Sequence, residues 1–339
     1  MSENAFVPFY NGIIRRYEKA YDLPAHNRMD RQLLSGEIHL TMTARTPVLV
    51  GSGKPEKEGD CTVSTFFRNG QKQYAIPGST IRGLVRQNMQ ILGLGLVRVG
   101  RNDEIADVFY RHNIRLEKGL PQCHQKVSFR EDVMDYPNSI LGFVGKQKPL
   151  YCYRSRVSFG ELTAVGTPKE LNTIKVVLKS PSDYFIDKQP NGTFTLPGTR
   201  QFPLKNPTGY APYRARQGIR PLNTGTQFSG VIRYRNLHPD ELGLLLWCLK
   251  LENGCFQTVG MAKSYGYGRM AVEIDKLVEY DFTQLYSSLI PATPAPTDSV
   301  RRVAQLIDAY QQYAKKLGHP VTELPQIRAF FALKKCIKG

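Results

Sequence analysis

The sequence contains few cysteines and no long hydrophobic run, and each shortage excludes a class of protein. The six cysteines among 339 residues form no Cys-x-x-Cys pair and no repeated spacing, so we expect neither a disulfide framework nor a zinc ribbon. No stretch approaches the ~18 uninterrupted apolar residues of a membrane-spanning helix, and the first residues lack the apolar run of a signal peptide. These features predict a reduced, cytoplasmic protein with no membrane partner.

Acidic residues are also scarce. The chain has 29 Asp and Glu against 46 Lys and Arg, which gives a formal net charge of +17. Such a charge favours a polyanionic partner, and above all nucleic acid, because each phosphate that is neutralised releases counterions. A basic enzyme whose charge only keeps it soluble is the alternative. The hydrophobic fraction of 41% argues against wholesale disorder, and the length suits about two domains.

Several familiar catalytic motifs are absent. Residues 50–55, VGSGKP, begin like a phosphate-binding loop, but Pro55 stands where a Ser or Thr would hold magnesium. The glycines from Gly93 onward follow a helical pattern and have the wrong spacing for a dinucleotide site. The sequence contains no HExxH and no GxSxG. The common nucleotide-binding, metalloprotease and serine-hydrolase signatures are therefore missing.

Hydrophobic periodicity predicts that a strand–helix order occurs twice along the chain. Alternating residues predict strands at 36–50, 63–67, 73–76, 151–163, 172–178, 226–236 and 269–274, and helical spacing predicts helices at 79–92, 239–251 and 298–317. The order predicts an α+β fold with a ferredoxin-like, RRM-like β-α-β-β-α-β core.

The same patterns predict the domain organisation. We expect an N-terminal extension at 1–35, an RRM-like domain at 36–280 with insertions at about 98–150 and 180–225, a stiff linker at 291–297, and a basic helical tail at 298–339.

The sequence IPGSTIRG at 76–83 is the first candidate binding motif. A turn at Gly78 leads into a helix, and the free amides of a first helical turn, around Ser79, can bind an anion. Arg82 and Arg86 are one turn apart and add charge on one face. A plain helix start with two solvated arginines is the alternative.

The sequence GMAKSYGYGRM at 260–270 combines glycines, charge and aromatic rings. The glycines allow a backbone to approach closely, Lys263 and Arg269 supply charge, and Tyr265 and Tyr267 supply ring faces. A base stacked on an aromatic ring gains ~1–3 kcal/mol, which suits single-stranded RNA. A glycine-rich turn with ordinary strand tyrosines is the alternative.

A third motif, YAPYRARQGIRP at 210–221, places Arg214 and Arg216 among tyrosines in a segment without regular periodicity. We interpret it as a basic, aromatic RNA-binding loop, and a merely solvated loop is the alternative.

Five segments together carry a family resemblance. They are LTMTARTPVLVGSG (40–53), YAIPGSTIRGLVRQ (74–87), RVSFGELT (156–163), FSGVIRYRNLHPDELGLLLWCL (228–249) and VGMAKSYGYGRM (259–270). In this order the chain resembles the RAMP superfamily, the RRM-like proteins that build CRISPR–Cas effector complexes. The opening FVPFYN (6–11) and the long insertions look most like the backbone subunits of type III effectors.

The resemblance implies partners and a reaction. Such subunits bind CRISPR guide RNA along an RRM-like palm, wedge the duplex with complementary target RNA by an inserted thumb, and assemble with other effector subunits. In many of them an aspartate after the first strand cleaves target RNA with Mg²⁺ or another divalent cation. The matching loop here is 51–61, and its only aspartate is Asp60, with Glu56 and Glu58 close by. Asp60 is therefore the candidate catalytic and metal-binding residue.

The motifs and the resemblance together define the candidate RNA-binding residues, which are Ser52, Lys54, Gly78, Ser79, Arg82, Arg86, Arg214, Arg216, Lys263, Ser264, Tyr265, Tyr267 and Arg269.

Two alternatives stay open at this point. The chain could be a guide-RNA processing endoribonuclease of the same superfamily, in which a histidine acts as general acid or base. The available histidines are His26, His39, His112, His124, His238 and His319, and none stands in a recognisable catalytic constellation. The other alternative is an RNA-binding scaffold without chemistry, which is favoured if the loop of Asp60 packs away from RNA.

Overall fold

The computed structural model describes residues 5–10, 12–18, 22–95, 134–144, 152–177, 187–188, 194–195, 198–208, 215–282, 287 and 298–335. The strands are β1 (Ala5–Val7), β2 (Leu34–Ala44), β3 (Glu56–Glu58), β4 (Cys61–Ser64), β5 (Ala75–Ile76), β6 (Phe143–Val144), β7 (Cys152–Tyr153), β8 (Val157–Phe159), β9 (Leu162–Ala164), β10 (Ile174–Val176), β11 (Asp187–Lys188), β12 (Phe194–Thr195), β13 (Thr199–Gln201), β14 (Gln217–Ile219), β15 (Gln227–Leu237), β16 (Gln257–Thr258) and β17 (Arg269–Glu279). The helices are α1 (Gly78–Leu92), α2 (Tyr136–Leu141), α3 (Pro239–Lys250), α4 (Ser299–Lys316) and α5 (Pro325–Lys334). Within these described ranges no helix is both long and apolar enough to cross a membrane.

The main sheet has the strand order β16-β17-β2-β15-β9-β5, and β8 also pairs with β15. All of these pairings are antiparallel, and Ile232 of β15 lies opposite both Ile38 of β2 and Phe159 of β8. Counted along the chain, the four principal strands β2, β8–β9, β15 and β17 lie in the order 4-1-3-2. A strand of the second half thus splits the β-α-β unit of the first, which confirms the α+β, ferredoxin-like prediction.

One face of this sheet is packed and the other is polar. Along β2 the side chains of Leu40 and Met42 are buried, whereas those of Glu37 and His39 are half-exposed. On the polar face Arg233 donates to Glu37 at 2.9 Å. The period of two in the sequence therefore gave the correct face for each residue of this strand.

Helix α3 is buried on all sides because α4 packs across it. Every residue from Asp240 to Leu249 is buried. A Cβ at Gly243 would lie 1.9 Å from the carbonyl oxygen of Leu306, so only glycine lets the α4 backbone come this close. The basic tail predicted from the sequence thus supplies a helix that covers the core.

The structure differs from the predicted elements at several places. Strand β2 ends at Ala44 rather than at residue 50, and β17 continues to Glu279 through a register shift after Ile274. The sequence prediction missed α2 and α5. Asp135 caps α2 by accepting from the amide of Asn138, and both helices carry a proline in the first turn, so their start signals were present.

A buried ion pair joins β8 to the start of α3. The side chains of Arg156 and Glu241 are 1% and 0% exposed. Arg156 Nη1 donates to Glu241 Oε2 at 2.7 Å, and its Nε donates to the carbonyl of Ser139 at 3.0 Å. The amide of His238 donates to the same carboxylate at 2.9 Å, which completes a capping box. Burial alone would raise the pKa of Glu241, but Arg156 beside it holds that pKa below its ordinary value.

A second carboxylate extends this network to the N-terminal segment. Arg16 Nε donates to Asp240 Oδ2 at 2.9 Å, and the hydroxyl of Tyr136 donates to the same oxygen at 2.5 Å. The hydroxyl of Tyr17 reaches Glu241 at 3.4 Å. Residues 12–18 and α2 are therefore fixed on the first turn of α3.

We predict that Glu241→Gln lowers the free energy of unfolding by about 3–5 kcal/mol, because it leaves the charge of Arg156 buried without its partner. Urea unfolding monitored by circular dichroism measures this change. The matched control is Arg302→Gln, whose partner Glu279 lies in a half-exposed pair and is expected to contribute about 0–1 kcal/mol. Equal losses in the two variants would contradict the assignment.

The same pair predicts a pH dependence. Because the pKa of Glu241 in the folded protein lies below the ordinary value of 4.5, its contribution is present above that pH and is lost as the pH falls through the folded pKa. The wild type should therefore lose stability more steeply below about pH 4.5 than Glu241→Gln. Parallel profiles of unfolding free energy against pH would refute this.

Candidate nucleic-acid interface

Three motifs that are distant in the sequence meet at one end of the main sheet. The amide of Met261 donates to the carbonyl of Leu49 at 2.8 Å, and the amide of Phe67 donates to that of Val50 at 2.8 Å. The amide of Ala75 in turn donates to the carbonyl of Phe67 at 3.2 Å, just before α1 begins. The segment after β2 is thus bonded to the glycine-rich loop on one side and to the entry of α1 on the other.

The glycine at the start of α1 has a packing role. A Cβ at Gly78 would lie 2.1 Å from the carbonyl oxygen of Phe159, so the first turn of the helix rests on the backbone of β8. Pro77 occupies the N-cap position, where it makes no side-chain hydrogen bond, and Ser79 is exposed. The first turn holds no acidic residue, which leaves this helix end electropositive.

Arg82 and Arg86 lie side by side on α1, and each is bonded to a backbone carbonyl at the end of α2. Arg82 Nη2 donates to Leu141 at 2.6 Å and Arg86 Nη2 donates to Gly142 at 2.8 Å. Burial, together with the charge of Arg82, lowers the pKa of Arg86. A guanidinium has five N–H donors, so these bonds leave donors on both residues for further acceptors.

The glycines of the loop at 260–268 lie in close contact with other backbone of the same chain. A Cβ would lie 2.0 Å from the carbonyl oxygen of Leu49 at Gly260 and 1.9 Å from that of Val259 at Gly268, and both glycines have positive φ. The glycines of this motif predicted a close approach of some backbone here. The structure shows that the approaching backbone includes residues 49 and 259 of this chain.

The charged and aromatic residues of this loop divide into two groups. Tyr267 and Arg269 are 4% and 8% exposed, and Arg269 Nη2 donates to the carbonyl of Lys205 at 2.9 Å. Stacking a base on Tyr267 would require its ring to leave the core. Lys263, Ser264 and Tyr265 are half-buried in a short 3-10 turn. The hydroxyl of Tyr265 donates to the carbonyl of Val177 at 3.1 Å, which fixes that ring on β10.

Asp60 lies at the exposed turn of the hairpin formed by β3 and β4. Its neighbours are already paired, since Arg220 bonds both Glu56 and Glu58, and Thr173 donates to Glu58 at 2.7 Å. These bonds, first that from Thr173, lower the pKa of Glu58. The hairpin is therefore held by its glutamates, while its aspartate faces solvent.

Comparison with known families decides the membership of the chain. The model of the RAMP superfamily matches residues 41–271, which is more than half of the sequence and runs from within β2 into β17. The chain belongs to the RAMP superfamily. Membership implies a CRISPR-associated, RNA-binding function, with CRISPR RNA and effector subunits as partners. A comparison with curated proteins finds no match.

The hairpin also brings a second predicted residue of this RAMP protein close to Asp60. The amide of Thr62 donates to the carbonyl of Arg216 at 2.9 Å, so the exposed Arg216 lies beside the hairpin although it is distant in the sequence. Ser52 and Lys54 form a local turn, in which the amide of Lys54 donates to Ser52 Oγ at 3.1 Å. Arg214 falls outside the described residues.

The carboxylates around Asp60 supply only part of the ligand set that a metal ion needs. Among the described residues no group of three or more His, Cys, Asp or Glu side chains could hold a metal ion. Glu56 and Glu58 are bonded to Arg220, which leaves Asp60 as the available carboxylate of the hairpin. Mg²⁺ is commonly bound by one or two carboxylates with substrate phosphates and water. Asp60 suits a site of that kind, completed by RNA.

Three of the four described histidines of the processing alternative are built into the fold. His39 Nε2 lies 3.1 Å from Glu37 Oε2, His319 Nδ1 lies 3.2 Å from the hydroxyl of Tyr10, and the backbone of His238 caps α3. His112 and His124 lie outside the described residues. No specific geometry here favours a histidine-dependent ribonuclease.

We predict opposite effects for two glycines of α1. Gly78→Ala should destabilise the fold by more than about 1 kcal/mol, because its Cβ collides with a carbonyl oxygen of β8. Gly83→Ala, whose Cβ meets nothing within 4 Å, should stabilise the helix by about 0.5–1 kcal/mol. Urea unfolding of both variants gives the comparison, and a neutral Gly78→Ala would contradict the packing role.

Proposed function

We propose that this RAMP protein is a backbone subunit of a type III CRISPR effector complex that binds guide RNA and the guide–target duplex and cleaves the target RNA beside Asp60. The observation that carries the proposal is the exposed hairpin turn with Asp60 at its tip and Arg216 next to it. If the loop of Asp60 were packed against the protein instead, that would have favoured an RNA-binding scaffold without chemistry.

Affinity in this proposal comes from phosphate contacts and sequence selection comes from base pairing. Lys54 and Arg216 are exposed, and Lys263 is half-exposed on the glycine-rich loop. Neutralisation of phosphates by such side chains gives binding that is independent of sequence and falls with salt. The guide strand itself selects the target, so the protein needs no base-specific side chains.

Cleavage needs little from the protein beyond positioning. The target 2′-oxygen attacks the adjacent phosphorus, its proton passes to the carboxylate of Asp60, and the 5′-oxygen leaves and takes a proton from water. A divalent ion bound by Asp60 and RNA phosphates would supply positive charge for the developing negative charge. The neighbouring bonds from Arg220 hold the hairpin in place while the aspartate carries out this step.

We predict that Asp60→Asn abolishes cleavage of a complementary target RNA and changes RNA affinity by less than about twofold, because the exposed turn carries no packing. Cleavage assays of the guide-loaded complex with magnesium test this. The control is Glu252→Gln, another exposed acid at a turn. Retained cleavage in Asp60→Asn would contradict the catalytic role, and no cleavage by the wild-type complex would favour a scaffold subunit.

We predict that Lys263→Ala weakens RNA binding several-fold and lowers the slope of log K against log salt by about 0.7–0.9, which is the loss of one phosphate contact. Fluorescence anisotropy over a salt series measures both quantities. Lys315→Ala, an exposed lysine on α4, is the matched control. An unchanged slope of log K against log salt in Lys263→Ala would mean that Lys263 does not contact an RNA phosphate.

A further inference from the structure

At the end of the main sheet opposite to Asp60, three separate segments converge around His26. The hydroxyl of Tyr153 donates to the carbonyl of Pro24 at 2.7 Å, and the amide of Arg235 donates to that of Arg156 at 2.9 Å. The ring of His26 lies 4.6 Å from the ring of Tyr153. The N-terminal segment, the turn before β8 and the last residues of β15 are thereby fixed against one another.

Positive charges face His26 from two of these segments, the turn before β8 and the end of β15. Burial lowers the pKa of His26, and the charges of Arg235, Arg154 and Arg156 lower it further. Arg156 is neutralised by Glu241, but Arg154 and Arg235 form no ion pair with a described residue. Burial raises the pKa of Tyr153 to about 12, so this neighbour stays neutral near pH 7.

Two nitrogens in this cluster are buried without a hydrogen-bond partner. They are His26 Nε2 and Arg235 Nε. The backbone of Arg154 lies beside the ring of His26, but Nε2 has no hydrogen-bond partner. Leaving a buried polar group unsatisfied is unfavourable, so two of them beside two cations without an ion pair need an explanation.

An oxyanion provides that explanation. A phosphate has several acceptor oxygens, and guanidinium groups bind it with charge-assisted bonds. The protonated ring of histidine carries an N–H donor on both ring nitrogens, so that Nε2 of a protonated His26 can donate to an anion. An anion beside His26 would therefore favour protonation and satisfy Nε2.

We propose that His26, Arg154 and Arg235 form a second phosphate-binding site for the RNA backbone, at the end of the sheet away from Asp60. The inference rests on the proposed RNA-binding function and extends it. The two ends of the sheet are separated by the length of strand β2, whose 11 residues measure roughly 35 Å at ~3.3 Å per residue. A helical strand rises ~3.4 Å per nucleotide, so an RNA needs on the order of ten nucleotides to contact both the His26 site and the Asp60 end of the sheet.

The test uses the full-length protein and labelled RNAs of 5 and 20 nucleotides in anisotropy titrations. We expect Arg235→Gln and His26→Gln to bind the 20-mer about 3- to 10-fold more weakly with a salt slope lower by about 0.7, and to differ less from wild type on the 5-mer. Arg235→Lys should restore part of the affinity. Arg301→Gln, on the exposed face of α4, is the charge-matched control, and melting curves check that each variant is folded.

A second measurement follows the protonation of the His26 ring. The pKa of His26, measured by NMR from its ring proton, should rise when the 20-mer is added, and wild-type binding should weaken from pH 6 to pH 8 more than that of His26→Gln. An unchanged pKa of His26 would overturn the proposal.

The outcomes separate this inference from the proposed function. If the wild type binds the 20-mer but both variants bind it with the same affinity and slope, the second site is refuted and RNA binding stands. If the wild type binds neither RNA, both proposals fail. If the variants keep RNA affinity but lose association with other effector subunits, the site takes an acidic protein surface and not RNA.

Discussion

The ion pair of Arg156 and Glu241 is the interaction on which the rest of the structure depends. It joins the residue just before β8, the closing strand of the first β-α-β unit, to the first turn of α3, and it lies where α2 and the N-terminal segment meet that helix. A buried pair of charges is tolerated only when nearly all of its hydrogen-bonding groups are satisfied. Here carbonyls, an amide and a hydroxyl do so, and each comes from a different segment. The packing of α2, α3 and the N-terminal segment against one another follows from this junction.

Glycine fixes the candidate interface in a comparable way. The motifs that identify the family place Gly78, Gly260 and Gly268 where backbone meets backbone within this chain. The same residues therefore serve the fold first, and they bring the glycine-rich loop, the segment after β2 and the start of α1 together. The residues proposed to act at this end, chiefly Lys263 and Asp60, lie at the edges of these contacts and not in the core.

The two ends of the sheet differ in their electrostatics. Around Asp60 the two glutamates share the guanidinium of Arg220, so that Asp60 is the carboxylate of this hairpin without an ion pair to a described residue, and it lies next to Arg216. Around His26, Arg154 and Arg235 form no ion pair with a described residue, and two buried nitrogens have no partner. Under the two proposals, an RNA strand that spans the sheet would contact the proposed catalytic Asp60 at one end and the proposed phosphate-binding site around His26 at the other.

The sequence by itself determined the β-α-β-β-α-β order, the bounds of α1 and α3 to within a residue, and membership of the RAMP superfamily. Those features depend on local periodicity and contiguous motifs. Only the tertiary structure decided that Tyr267 is buried, that Arg82 and Arg86 bond to α2, and that the chain folds into the 4-1-3-2 sheet order. It also decided that His26 meets Arg235. These are contacts between residues far apart in the chain, and no local pattern encodes which distant backbone or charge a side chain will face.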